Sequence, residues 1–306
     1  MDSAVEVEGL RKSYGSLEAV RGISFTVAEG EVFALLGPNG AGKTTTVEIL
    51  EGFRRRDAGS VSVLGFDPAA GDRRLKEQMG IVLQTTGVDP YQTVDETIDM
   101  FRGYYPRPRS RKEVIDLVGL EEKVDARVTK LSGGQRRRLD VAIALAGDPR
   151  VLFLDEPTTG FDPGAKRNAW DVIKGLAGLG KTVFLTSHSM DEVQFLADRV
   201  VIIAAGRIVA EGTPDSLIDR DRQSAVISFR LTGSSGELPE ALRRAARVDG
   251  ESVELESKDP TRTLFELTSW AVQRNVSLEG LQVTRPSLED VYLDITREAE
   301  TAGAGG

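Results

Sequence analysis

Two periods alternate along this chain. Near its start Val5 and Val7, then Ile23, Phe25 and Val27, are apolar at every second position. That spacing predicts two or three short, half-buried strands within residues 1–30. Farther on, residues 31–36 (EVFALL), 79–83 (MGIVL), 151–154 (VLFL) and 182–186 (TVFLT) form short, almost continuous apolar runs. Such runs read as strands covered on both faces, the habit of a parallel sheet. Helical patterns fall between them, at about 42–51 and through most of 92–147. Thr93 and Glu96 are spaced as a capping box, which starts a helix there. Pro106 and Pro108 break the helical stretch, because the residue before each proline is pushed out of the helical region. Residues 200–204 and 207–210 read as a hairpin about Ala205 and Gly206. The alternation of apolar strands and helices predicts an α/β fold with a mostly parallel sheet covered on both faces.

The composition shifts near residue 220. The charged run 219–223 (DRDRQ) predicts a linker at 220–224 after a first domain spanning 1–219. Beyond it, strands at 225–229, 253–255 and 281–283 and helices at about 238–247 and 263–275 predict a small α+β domain over 225–299 of β-α-β-β-α-β type. Residues 288–297 read as its closing helix, and the glycine-rich end, 300–306, as a disordered tail.

Charge and composition narrow the classes. The chain of 306 residues carries a net charge of -9, which argues against nucleic acid as a partner. It has no cysteine, so disulfides and thiolate metal sites are excluded. No apolar run reaches the ~18–20 residues of a membrane helix, and the acidic start (MDSAVEVEGL) is no signal peptide. The expectation is a cytoplasmic protein that does not itself cross a membrane.

The candidate chemistry sits at strand ends. Directly after residues 31–36 come Gly37, Pro38, Asn39, Gly40, Ala41, Gly42, Lys43 and Thr44, followed by Thr45: the full P-loop spacing, with a strand before and a helix after. Its backbone N–H groups and the helix N-terminus hold phosphate, Lys43 reaches the β- and γ-phosphates, and Thr44 ligates Mg²⁺. The run 151–154 delivers Asp155 and Glu156 to a strand end; Asp155 suits the Mg²⁺ shell, through water, and Glu156 suits a base for an attacking water. The single histidine, His188, ends another apolar strand and reads as a γ-phosphate contact. Gln84 follows a further strand; it fits Mg²⁺, the water, or a plain solvated loop. Later in the chain Leu131, Ser132, Gly133, Gly134 and Gln135 open a helix with two glycines, a second anion site made of bare backbone. The basic run after it, Arg136 to Arg138, reads as a solvated helix face.

These motifs in this order resemble the ATP-binding subunit of ABC transporters, over about residues 4–215. The resemblance implies a P-loop ATPase using ATP and Mg²⁺, with a mixed sheet core, a helical subdomain at about 85–145 and an antiparallel β part. It implies a homodimer in which residues 131–135 of one copy cap the ATP held by the P-loop of the other, with Asp162 crossing the interface. It implies Tyr14 stacked on adenine, unless that ring is core, and Val20 packed against the base. Separate integral membrane permease subunits would touch the helical subdomain, with the chain peripheral on the inner face of the membrane. The segment 286–293 (PSLEDVYL) resembles the end of the antibiotic and multidrug export branch, typified by daunorubicin/doxorubicin-resistance ATP-binding proteins. The expected function is ATP-driven efflux of a drug, antibiotic, lipid or similar hydrophobic compound. The alternative is a soluble ABC ATPase of translation or DNA repair. The single cassette and the acidic charge weigh against it.

Overall fold

The computed structural model describes residues 2–82, 87–221, 225–231, 238–243, 246–284, 288–293 and 296. Two compact units appear, one built on Met1–Pro214 and the other on Asp215–Asp294.

The first unit begins with two long antiparallel strands, β1 (Ser3–Tyr14) and β2 (Leu17–Ala28). The expected set of short strands is thus a single ribbon. Register shifts between Val7 and Leu10, and again between Lys12 and Ser13, interrupt its alternation and hide its continuity in the sequence. After β3 (Val32–Leu36) and α1 (Lys43–Leu50), β4 (Ala58–Val63) adds to the far side of β1, giving the order β2-β1-β4. Then follow α2 (Arg73–Lys76) and β5 (Met79–Val82).

The helical stretch holds α3 (Val94–Arg102), α4 (Arg111–Val118) and α5 (Gly133–Leu145). Thr93 caps α3 with the reciprocal bonds to Glu96 that the sequence predicts. The chain then alternates through β6 (Val151–Asp155), α6 (Pro163–Gly178), β7 (Thr182–Ser187), α7 (Met190–Leu196), β8 (Arg199–Ala204) and β9 (Arg207–Gly212). The second sheet has the order β5-β6-β7-β3-β8-β9, parallel except for the β8–β9 hairpin. All five residues of β3 are buried, as its apolar run requires.

One core joins both sheets. Phe25 of β2 stacks on Phe33 of β3 at 5.3 Å between ring centroids, and Phe184 of β7 lies 5.1 Å from Phe33 and 5.5 Å from Phe153 of β6. These rings support the strands whose ends carry the candidate chemistry.

α8 (Pro214–Asp221) covers the first residues of the expected linker, of which 222–224 lie outside the described residues. Pro214 suits a first helical turn and Asp215 favours its positive end, so this charged run continues as helix. The second unit holds β10 (Ala225–Leu231), α9 (Glu240–Arg243), β11 (Ala246–Asp249), β12 (Ser252–Ser257), α10 (Pro260–Arg274) and β13 (Leu278–Thr284). Its sheet is antiparallel throughout, in the order β11-β12-β10-β13, the split β-α-β arrangement. Ile227, Phe229, Val253, Leu255 and Leu267 fill its core. The helix expected at 238–247 is in fact shorter, because Ala246–Asp249 pairs with β12. Residues 288–293 are helical, and the expected tail at 300–306 lies outside the described residues.

Candidate active site

The loop from Gly37 to Lys43 lies against neighbouring backbone, and that approach dictates glycine at residues 37 and 42. A Cβ on Gly37 would come within 2.3 Å of the Ile203 carbonyl oxygen, and one on Gly42 within 2.5 Å of that of Ala19. Gly42 also has φ 103°, where L side chains are strained. The Lys43 ammonium donates to the carbonyl oxygens of Gly37 at 2.6 Å and Pro38 at 3.2 Å, which holds it over the loop. Burial pulls the Lys43 ammonium below its ordinary value, against the charges of Glu156 and Asp155, which raise it. Thr44 is exposed on the first turn of α1, and the Thr45 hydroxyl lies 3.4 Å from that of Tyr14.

Parallel pairing sets Asp155 beside Thr186. The Thr186 hydroxyl donates to the Asp155 carboxylate and accepts the Glu156 N–H at 3.1 Å. Glu156 has φ 46°, a left-handed conformation that a non-glycine residue keeps only when its surroundings enforce it. Thr186 is one source of that enforcement. The Glu156 carboxylate accepts from the Thr159 hydroxyl at 3.1 Å and lies 3.3 Å from Nδ1 of His188, whose side chain is 58% exposed. The fold therefore gathers Lys43, Asp155, Glu156 and His188 at neighbouring strand ends. The sequence reading missed Thr186. Its one signal was a hydroxyl two residues before His188 on a fully buried strand. Thr186→Val keeps the shape and removes both bonds, so it should destabilise the fold by about 1–3 kcal/mol and lower ATP turnover. Denaturant titration beside phosphate release checks this; unchanged values in both would refute it.

Tyr14 ends β1 and is 38% exposed, with the Arg54 guanidinium 5.1 Å from its ring centroid. It is a surface ring. Val20 departs from expectation: it is 1% exposed and packs in the core beneath the loop, close to Gly42. Strand alternation turns Val20 inward, so the side chain on the opposite face there is that of half-buried Ala19. Gln84 lies outside the described residues.

Leu131 is buried, and Ser132 caps α5 with a second capping box, its hydroxyl accepting the Gln135 N–H at 3.2 Å while the Gln135 side chain accepts the Ser132 N–H at 3.0 Å. Gly133 is exposed and Gly134 half-buried. Asp162 caps α6, accepting the N–H groups of Gly164 and Ala165. A cavity of about 560 Å³ lies between the start of α5, the 157–162 turn and α6, and none of its lining residues belongs to the P-loop.

The expected solvated face at residues 136–138 is corrected. Arg136 is exposed, but Arg137 is buried, donating to the carbonyl oxygens of Pro157 and Asp155, both at 3.0 Å. Burial lowers its pKa, against the charges of Asp140, Asp155 and Glu192. Arg138 donates to the Gly119 carbonyl at 2.8 Å. Another buried acid, Glu51, ends α1, and its carboxyl is pushed up to about 8 by burial, with the Asp155 and Glu48 charges adding to the effect.

Among known proteins, the family model for the ABC transporter matches residues 20–159, and a C-terminal domain model of ABC transporter domain-containing proteins matches 225–287. The Nod factor export ATP-binding protein I of Rhizobium sp. (strain N33) is 41% identical over 308 residues, covering 97% of this chain and 98% of that protein. The chain belongs to the ABC transporter ATP-binding family. The Nod factor export ATP-binding protein I of Ralstonia nicotianae is also similar, at 40% identity over 95% of this chain and 93% of its own length. Among solved structures, cbiO1 from Clostridium perfringens, part of the ABC transporter complex cbiONQ, superposes with a TM-score of 0.63 at 28% identity, over 72% of this chain and 92% of its own. A dimeric ATP-binding cassette in a post-hydrolysis state with ADP and Pi gives 0.61 at 25%, over 68% and 98%. This chain is accordingly an ATP-binding protein with the ABC ATPase fold, and ATP hydrolysis is its reaction. No helix of the described residues is long and apolar enough to cross a membrane.

Proposed function

We propose that this chain powers export. It works as a homodimer on the cytoplasmic face of the membrane, bound to separate integral membrane permease subunits that carry a hydrophobic compound outward. One observation carries the reading: likeness to the Nod factor export ATP-binding proteins runs nearly end to end, through both units. A drug, an antibiotic and a lipid are all cargo of the expected chemistry.

In this mechanism the backbone N–H groups of the loop at residues 37–45, which all but Pro38 carry, and the N-terminus of α1 bind the ATP phosphates, and Lys43 turns from its loop carbonyls to the β- and γ-phosphates. Tyr14 offers its ring to adenine. Mg²⁺ would be held by Thr44, Asp155 through water, and Gln84. The donor set fits that ion. No cluster of three metal-binding side chains occurs among the described residues, and Mg²⁺ is commonly held by one or two carboxylates with substrate phosphates rather than by a protein cage. Once bound, it would neutralise charge on the transferring phosphate. Glu156 takes the proton of the attacking water, and His188, beside it, contacts the γ-phosphate. The second anion site answers to a two-fold partner. The backbone at residues 131–135 caps the ATP held by a second copy, with Asp162 at that interface. The cavity beside this segment takes no lining from the chain's own P-loop, which supports action in trans.

The test uses Glu156→Gln full chain with Mg-ATP, drawn from detergent-solubilised native membranes. An integral membrane protein of several spans should co-purify, and only with ATP. Recovery with ribosomes or DNA instead would overturn the transport reading.

A further inference from the structure

Arg137 is a buried cation that the reaction as described does not use. It stands on α5, the helix that opens with Ser132. Its Nε donates to the carbonyl oxygen of Pro157 and its Nη2 to that of Asp155, each at 3.0 Å. Those two carbonyls flank Glu156. A single guanidinium thus holds the peptide group that precedes this left-handed residue and the one that follows Pro157. From the other side, Thr186 accepts the Glu156 N–H. The planar fork of arginine can bridge two separate carbonyls, whereas the point charge of lysine holds one well. Asp140, one turn along the same helix, lies 3.8 Å from Nη1 and steadies the group.

We propose that Arg137 is a positioning residue: it clamps the backbone on either side of Glu156 and so aims that carboxylate at the water it deprotonates. The inference rests on the reading of Glu156 as the base. It gives α5 a second task. The helix whose first turn meets the partner's nucleotide also holds, about one turn later, the turn that carries this chain's own base. A displacement of α5 reaches Glu156 through the guanidinium.

A double-mutant cycle in the full chain tests this, with Arg137→Gln, Glu156→Gln and the pair, each measured for ATP affinity, KM, and turnover by phosphate release. Arg137→Gln should lower kcat by about a hundredfold, the loss expected when a reacting group is misplaced by about 1 Å, with ATP affinity and KM within about threefold of the parent. In the Glu156→Gln background the same change should leave the residual rate within about twofold, because no base remains to be aimed. Arg137→Lys keeps the charge beside Asp140 and one carbonyl bond, so it folds and turns over at an intermediate rate; it carries the test if the glutamine variant does not fold. Equal losses in both backgrounds, or an unchanged kcat in folded Arg137→Lys and Arg137→Gln, overturn the proposal. Wild-type turnover in Glu156→Gln alone overturns the role of Glu156, and this proposal with it.

Discussion

Glu156→Gln should bind ATP with near-parental affinity and hydrolyse it about 10²–10⁴ times more slowly, the range for loss of a general base. The substitution is chosen by the geometry. The Glu156 carboxylate sits between the Thr159 hydroxyl and the His188 imidazole, and its backbone is fixed by Thr186 and Arg137. Glutamine preserves the volume and an oxygen for Thr159, so the turn is not disturbed. What it lacks is a lone pair basic enough to take a proton. Binding, which the proposed mechanism assigns to the loop at residues 37–45, is a separate matter. With hydrolysis blocked and binding intact, the ATP-bound dimer should accumulate on size-exclusion chromatography and fall apart when ATP is removed. Turnover within threefold of the parent would move the base to another residue. His188, 3.3 Å away, is the next candidate, and His188→Ala would then cause the larger loss.

The parts of this site that the sequence revealed are local ones. A strand, a glycine loop and a helix follow one another directly at residues 32–50, so spacing alone identifies them. Asp155 and Glu156 close an apolar strand, and strand ends in a parallel sheet face one edge. The parts that stayed hidden depend on facing. Successive helical residues turn by about 100°, so three consecutive arginines cannot share an environment. Arg136 meets solvent, Arg137 the 155–157 turn and Arg138 the Gly119 carbonyl. Val20, which only the family resemblance sets against the base, lies on the inward face of β2. One step in register exchanges the faces, and the shifts within the β1–β2 ribbon obscure which face is inward. The helix expected at 238–247 overran because a four-residue strand is too short to show a period.

Glu51 makes its own demand on the fold, and it depends on pH. Its carboxyl titrates at about 8 in the folded chain against an ordinary value of 4.5, and the first cause is burial at the end of α1. The folded state therefore keeps a proton that the unfolded chain releases. Between pH 4.5 and 8 the folded state binds more protons, so the stability due to this group is full below 4.5 and is lost as pH rises through about 8. The complete loss is on the order of 5 kcal/mol. Glu51→Gln retains a neutral polar end of the same size and has nothing to ionise. Its stability advantage should be under about 1 kcal/mol at pH 5, grow steadily, and approach the full figure at pH 9. Denaturant titrations of nucleotide-free protein followed at Trp170, which lies in the same unit, in a Trp270→Phe background would read it. A gap that does not change with pH would show that Glu51 acts through packing alone. A gap that opens with pH places an uncompensated carboxylate beneath the strand end that bears Asp155, and ties the alkaline limit of this ATPase to a residue outside its nucleotide motifs.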